Sequence, residues 1–289
     1  MKKIIERLLV FLIGLPAVYA LVILLPYYHN LALNIVTVFF SAMGAVEFSY
    51  MLEKKNIFIS KIESFILGAV IPLAFTLVIS LKLHFLIVIV LIMASAGWVL
   101  LSKVFSKPSE IESIAGQIIG KFSLLIYPGL FIGWLVMMSS WDNPAAILLF
   151  LFITFGSDST AWLCGNLFGA NNRGIIPVSP NKSVAGFIGG TLGSVIVAVG
   201  AVILFPQIFI YLNHEIPFFK LVILAVILGL CTGIAASLGD LAESAIKRSC
   251  DFKDSGNLML GRGGVLDSID SVALAAPVFF LLFSILFRV

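Results

Sequence analysis

SLGDLAESAIKRSCDFKDSGNLMLGRGGVLDSIDS, running from Ser237 to Ser271, is the stretch on which the reading of the chain turns. The chain as a whole is 61% hydrophobic and only 11% charged. Yet Asp240, Glu243, Lys247, Arg248, Asp251, Lys253, Asp254, Arg262, Asp267 and Asp270 all fall here. Asp240 and Asp270 border long apolar runs, where a carboxylate without a partner costs about 2.5–3.5 kcal/mol on insertion scales. A carboxylate in that setting calls for a cation. On a helix Asp267 and Asp270, three apart, share one face, and Asp240, Glu243 and Ser244 share another. Between them Gly261, Gly263 and Gly264 let the backbone approach a ligand or a neighbouring helix, and Arg262 offers a planar donor fork. Hard oxygen ligands beside phosphate-seeking cations point to a Mg²⁺-phosphate site. A merely solvated charged loop is the bland alternative, and the paired acid spacing inside apolar sequence speaks against it.

Working outward, the mean hydropathy of +1.14 and repeated apolar runs of about twenty residues exclude a soluble domain. The expectation is an all-α polytopic membrane protein of about nine spans, near 8–28, 31–52, 62–81, 85–101, 113–138, 144–168, 184–205, 218–238 and 265–287. The basic start resembles a signal peptide, but its apolar stretch is too long, so it reads as a retained first helix. Cys164, Cys231 and Cys250 have no disulfide or metal-ligand spacing. Residues 1–112 read as scaffold helices and residues 113–289 as the catalytic region. Two charges interrupt the spans. Glu47 is either functional or interfacial, and Lys121 either snorkels or points into a polar cavity.

A second polar stretch, DSTAWLCGNLFGANNRGIIPVSPNKSVAGFIGG from Asp158 to Gly190, follows eleven largely apolar residues. Lys182 precedes a helix opened by Ser183, where free N–H groups and the helix dipole already favour an anion. The glycines at 186, 189, 190 and 193 suit close helix packing or backbone contact with phosphate.

Both stretches resemble the phosphatidate cytidylyltransferase, or CDP-diacylglycerol synthase, family. In the first, Ser237, Gly239, Asp240, Leu241, Glu243, Ser244, Lys247, Arg248, Lys253, Asp254, Gly261, Gly263, Gly264, Leu266, Asp267, Asp270 and Ser271 fit the family signature. In the second, Asp158, Ala161, Trp162, Gly165, Phe168, Gly169, Ser179, Pro180, Lys182, Ser183, Gly186, Phe187, Gly189 and Gly190 fit. Leu260, Arg262 and Ser268 stand where the family usually has Pro, His and Arg, and Asn166 and Ala185 where it has Arg and Glu. Roles of those family residues do not carry over.

Counting Lys and Arg along nine spans puts fourteen on the side of the N-terminus and three (Lys82, Lys220, Arg288) on the other, with Lys121 inside a span. The positive-inside rule makes the N-terminus cytoplasmic, with both motifs opening on the cytoplasm. His29, His84 and His214 fall on the opposite side, against a histidine base. The residues alone support a metal-dependent phosphate-handling site. In it Asp240, Asp267 and Asp270, with Asp158 near, hold one or two Mg²⁺ ions, while Lys182, Lys247, Arg248 and Arg262, with Arg173 as a further candidate, bind phosphates. Ser183, Ser237, Ser244, Gly263 and Gly264 complete the candidate binding residues, and Asp240, Asp267, Asp270, Lys247 and Arg248 the catalytic ones.

The resemblance implies the rest: CTP and phosphatidic acid giving CDP-diacylglycerol and pyrophosphate, in the cytoplasmic membrane, within phospholipid biosynthesis. The expected partners are CTP, phosphatidic acid and membrane lipids, without nucleic acid, and a homodimer is compatible with them. A CTP-dependent lipid kinase of the polyprenol type, a cytidylyltransferase for another lipid phosphate, and a cation-coupled transporter remain the alternatives. The transporter fits least, because its acids belong near the midplane whereas these crowd one end.

Overall fold

The computed structural model describes residues 12–14, 16–106, 108–209, 216–259 and 263–287. Among them every named element is a helix, and only two isolated β-bridges occur, Arg173 with Ser183 and Met259 with Gly263. Seven helices are long and apolar enough to cross a membrane: α1 (Tyr27–Glu53), α2 (Lys61–Ser80), α4 (Ile111–Trp141), α5 (Pro144–Phe168), α6 (Val184–Leu204), α7 (Phe218–Ser249) and α8 (Leu266–Phe287). Two shorter apolar helices, Leu12–Leu24 and α3 (Leu86–Leu101), complete the set. The chain is therefore an all-α polytopic integral membrane protein, in agreement with the hydropathy reading.

Local signals set several helix starts. Ser60 accepts from the Glu63 N–H at 3.2 Å, so Ser-x-x-Glu opens α2. Asn143 accepts from the Ala146 N–H with Pro144 at the first helical position of α5, and Ser183 accepts from the Gly186 N–H at α6. One helix outruns its expected end. The 32 residues of α7 continue to Ser249, so Asp240, Glu243, Ser244, Lys247 and Arg248 all ride on one helix. Asp158 lies ten residues before the end of α5, within the helix rather than at its mouth.

The chain divides into two compact units, Met1–Ser140 with Lys247–Ile269, and Trp141–Ile246 with Asp270–Val289. In the first, α1, α2 and α4 close on small residues. A Cβ on Gly68 would lie 2.5 Å from the Ala45 Cβ, and the Ser41 hydroxyl reaches the carbonyls of Gly68 at 2.7 Å and Pro128 at 2.6 Å. Pro128 sits in a π-helical turn, Leu125–Leu130, which accommodates its missing N–H inside the span. In the second unit, α6 lays its glycines against α5. A Cβ at Gly186 would meet the Ala161 carbonyl at 2.9 Å, one at Gly190 the Ser157 carbonyl at 3.0 Å, and those at Gly189 and Gly193 would strike Cys164 and Thr160. Of the two uses open to these glycines, packing is the one observed. Trp141 stacks on Phe280 at 4.9 Å and adjoins Phe279 and Phe283, an aromatic core around α8.

Candidate active site

In the second unit Gly239 fixes how closely α7 and α8 approach. A Cβ there would lie 2.5 Å from the Asp270 carbonyl and 3.1 Å from the Leu274 Cβ. The close crossing sets Asp240 and Glu243 of α7 and Asp158 of α5 as the charged neighbours of Asp270. Asp270 is only 8% exposed, and Glu243 and Ser244 are buried. The Ser271 hydroxyl donates to Asp158 Oδ1 at 3.1 Å. Lys182, just ahead of α6, pairs with Asp240 Oδ2 at 2.6 Å. Four acids thus converge on apolar helices, with Lys182 paired to one of them, Asp240, and a concentration of buried carboxylates favours a bound cation. Among the described residues no three His, Cys, Asp or Glu side chains form a group that could hold a metal ion by themselves. Mg²⁺, however, ordinarily takes one or two protein carboxylates and fills its octahedron with water and substrate phosphate oxygens. The acid surplus of this unit fits such an ion in charge and donor type.

The polar turn between α5 and α6 is held by its own amides. The Asn172 carbonyl accepts from the Val184 N–H at 3.1 Å, and its side-chain oxygen from the Ala185 N–H at 3.3 Å. Arg173 donates to the Gly165 carbonyl at 2.9 Å and to Asn166 Oδ1 at 3.4 Å, so its guanidinium braces the turn. Ser183 spends its oxygen on the α6 N-terminus, where it is buried.

The first unit contains a different arrangement, built on the loop between α7 and α8. Asp267 pairs through Oδ1 with Lys247. Its Oδ2 accepts from the Ser255 N–H at 2.8 Å, the Ser255 hydroxyl at 3.0 Å and the Gly264 N–H at 2.8 Å. Glu47, on α1, is buried against the same loop. It accepts from the Val265 N–H at 2.9 Å and the Leu266 N–H at 2.8 Å, and it lies 3.0 Å from the Ser255 hydroxyl. A carboxylate more than 200 residues away thus caps the first turn of α8. The Ser255 hydroxyl has a single proton, so it donates to Glu47 or to Asp267 at any instant while accepting from the Asp267 N–H. Gly263 adopts φ +106°, and a Cβ on Gly264 would strike Glu47 Oε2 and Ser255 Oγ. The close approach these glycines permit is to carboxylates of the protein itself.

Of the expected site residues, Asp158, Asp240, Asp270, Lys182, Ser183, Ser237 and Ser244 fall in the second unit, and Lys247, Arg248, Asp267, Gly263 and Gly264 in the first. Ser237 is half-buried on α7. Arg248 is exposed and donates to the Phe252 carbonyl at 3.0 Å, closing the end of α7. Arg262 lies outside the described residues. Sequence reasoning missed Ser255 and left Glu47 undecided. Glu47 was signalled only by being an acid within an apolar run, and Ser255 only by its place beside Asp254.

Comparison with known proteins identifies the family. Residues 5–286 match the cytidylyltransferase family, and the chain belongs to that family of nucleotidyltransferases. It is similar to the phosphatidate cytidylyltransferase of Rickettsia typhi (strain Wilmington), 32% identical over 79% of this chain and 92% of the relative. It also resembles the phosphatidate cytidylyltransferase of Staphylococcus saprophyticus, 33% identical over 50% of this chain and 52% of the relative. An uncharacterized protein of Escherichia coli K12, YnbB, is 36% identical over 51% of this chain and 46% of its own. Against these last two the chain spans about half the relative's length.

Proposed function

We propose that the protein is a phosphatidate cytidylyltransferase of the cytoplasmic membrane, joining CTP and phosphatidic acid into CDP-diacylglycerol and pyrophosphate. The observation that carries this reading is the convergence of Asp158, Asp240, Glu243 and Asp270, with Lys182 paired to Asp240, in a member of the cytidylyltransferase family. In the reaction, an oxygen of the lipid phosphate forms a bond to the α-phosphorus of CTP. The bond from that phosphorus to the bridging oxygen breaks, and pyrophosphate leaves with the electron pair. A phosphate monoester is already a competent nucleophile near neutral pH, so neither a covalent intermediate nor a strong base is required.

Asp240 and Asp270 would hold one or two Mg²⁺ ions, which when bound supply charge neutralisation to the triphosphate and the leaving pyrophosphate. Lys182 draws phosphate oxygens toward the N-terminus of α6, its ammonium held in place by Asp240. Asp158, fixed by the Ser271 hydroxyl, keeps an acceptor beside Asp270. The fourteen-to-three bias of Lys and Arg supports a site that opens on the cytoplasm, where nucleotides are found.

The test is pyrophosphate release by detergent-solubilised protein given Mg²⁺, phosphatidic acid and CTP, ATP, GTP or UTP in turn. Lipid-dependent release with CTP alone, together with a CDP-lipid product, is expected. CDP appearing with a newly phosphorylated lipid alcohol would instead make the protein a lipid kinase, and no turnover with any pair would remove the enzymatic reading.

A further inference from the structure

A cavity of about 620 Å³ lies in the first unit, within the roughly 300–1,000 Å³ range of small-molecule sites. Its walls are one face of α2 (Glu63, Ile66, Leu67, Val70) preceded by Ser60, and one face of α3 (Leu91, Ala94, Ser95, Trp98) followed by Ser102 and Lys103. The two faces share a polarity. At one end stand Ser60, Glu63, Ser102, Lys103 and the buried Lys121; toward the other, only Leu67, Val70, Leu91 and Ala94 remain. From Ser60 to Val70 the wall runs about 15 Å at ~1.5 Å per residue, half of a hydrocarbon core of about 30 Å. The cavity is therefore charged at a helix-end boundary and mostly apolar beyond it, head and apolar part together reaching about the depth of one leaflet.

The charges at the head are specific. Lys121 Nζ pairs with Glu63 Oε1 at 2.5 Å and donates to Ser102 Oγ at 2.9 Å, so that cation is balanced. Lys103 has no ion-pair partner among the described residues and leaves the head with one surplus positive charge. Trp98 and Ile66, both exposed, open the wall toward the surroundings of the helices.

We propose that this cavity binds a membrane phospholipid with an anionic headgroup. One acyl chain lies between α2 and α3, and the phosphate is held by Lys103 and the Ser60 hydroxyl. A zwitterionic lipid would bring its own cation to a head that already has one in excess. The site involves none of the acid-cluster residues, and the inference stands independently of the proposed reaction.

Trp98 is the reporter. The protein, whose four tryptophans include Trp98, is reconstituted in phosphatidylcholine bilayers. These are doped with phosphatidylglycerol or phosphatidylcholine brominated on the acyl chains. The Trp98 signal is taken as the difference from Trp98→Phe. Half-quenching by the brominated phosphatidylglycerol is expected at a several-fold lower mole fraction than by the brominated phosphatidylcholine. Lys103→Gln is expected to abolish that preference, and Lys54→Gln, which alters a basic residue outside the cavity, to preserve it. Equal quenching by the two lipids, a preference that survives Lys103→Gln, or one that also disappears with Lys54→Gln overturns the proposal.

Discussion

Asp267 and Asp270 stand one helical turn apart on α8, and their surroundings have almost nothing in common. Asp267 is saturated: a lysine holds one oxygen, and two N–H groups and a hydroxyl surround the other. Asp270 has acids for neighbours, and apart from the adjacent Ser271 N–H the groups around it add negative charge rather than relieve it. A satisfied buried carboxylate builds structure, whereas an unsatisfied one stores a demand that a ligand can meet. The same residue type, one turn along, is held by a full set of partners in the first unit and crowded by like charges in the second, where the proposed function assigns it to binding.

This contrast can be broken by exchange of single atoms. Asp267→Asn removes the carboxylate that pairs with the largely buried Lys247, and loss of one member of a buried pair costs about 3–5 kcal/mol. A drop in melting temperature or denaturant midpoint of that scale is expected, and unaltered stability would show that Asp267 is not framework. Asp270→Asn is expected to behave in the opposite sense. It removes one of several crowded like charges, so stability should hold or rise while CTP-dependent pyrophosphate release falls about 100-fold or more. Destabilisation with turnover retained would reverse the assignment of the two acids. The same contrast predicts that Mg²⁺ at about 100 times its Kd stabilises the wild type by about 2.7 kcal/mol and gives Asp270→Asn far less, read from melts with and without chelator. Equal shifts in both proteins would detach the cation from this cluster.

Glu47→Gln sharpens the comparison on the structural side. It removes the charged acceptor at the start of α8 and should cost about 1–3 kcal/mol, with faster amide exchange at Val265 and Leu266. Unchanged protection there would mean that Glu47 does not cap the helix. The smallest effect expected is that of Lys182→Ala. The apparent KM for CTP or lipid should rise about 10-fold, as for loss of one charge-assisted contact, with kcat nearly intact; an unchanged KM would remove Lys182 from phosphate binding.

Much of this was legible in the sequence, for definite reasons. Spans follow from runs of apolar residues, and the pairing of Asp240 with Asp270 was signalled by acids abutting those runs. Gly239 entered only as a residue of the family signature, and it is the structure that shows it setting the close crossing against the Asp270 backbone. Contacts between charges remote in the sequence were not legible. Lys121 was open to snorkelling or to a cavity, and it is a buried partner of Glu63, 58 positions away. Glu47 was equally open, and its partners lie at separations of 208 to 219 residues. Helical periodicity relates residues on one face of one helix; it does not say which acid of an early span meets which amide of a late loop.

That last separation bears on how the protein is made. Glu47 precedes Val265 by 218 residues, and at roughly 5–20 residues per second of synthesis it waits on the order of 10–40 s for the amides that will satisfy it. Through that interval the growing chain carries an acid with no settled address near the end of its first long helix. A nascent chain halted before residue 265 lacks those amides, and they arrive only with the first turn of α8.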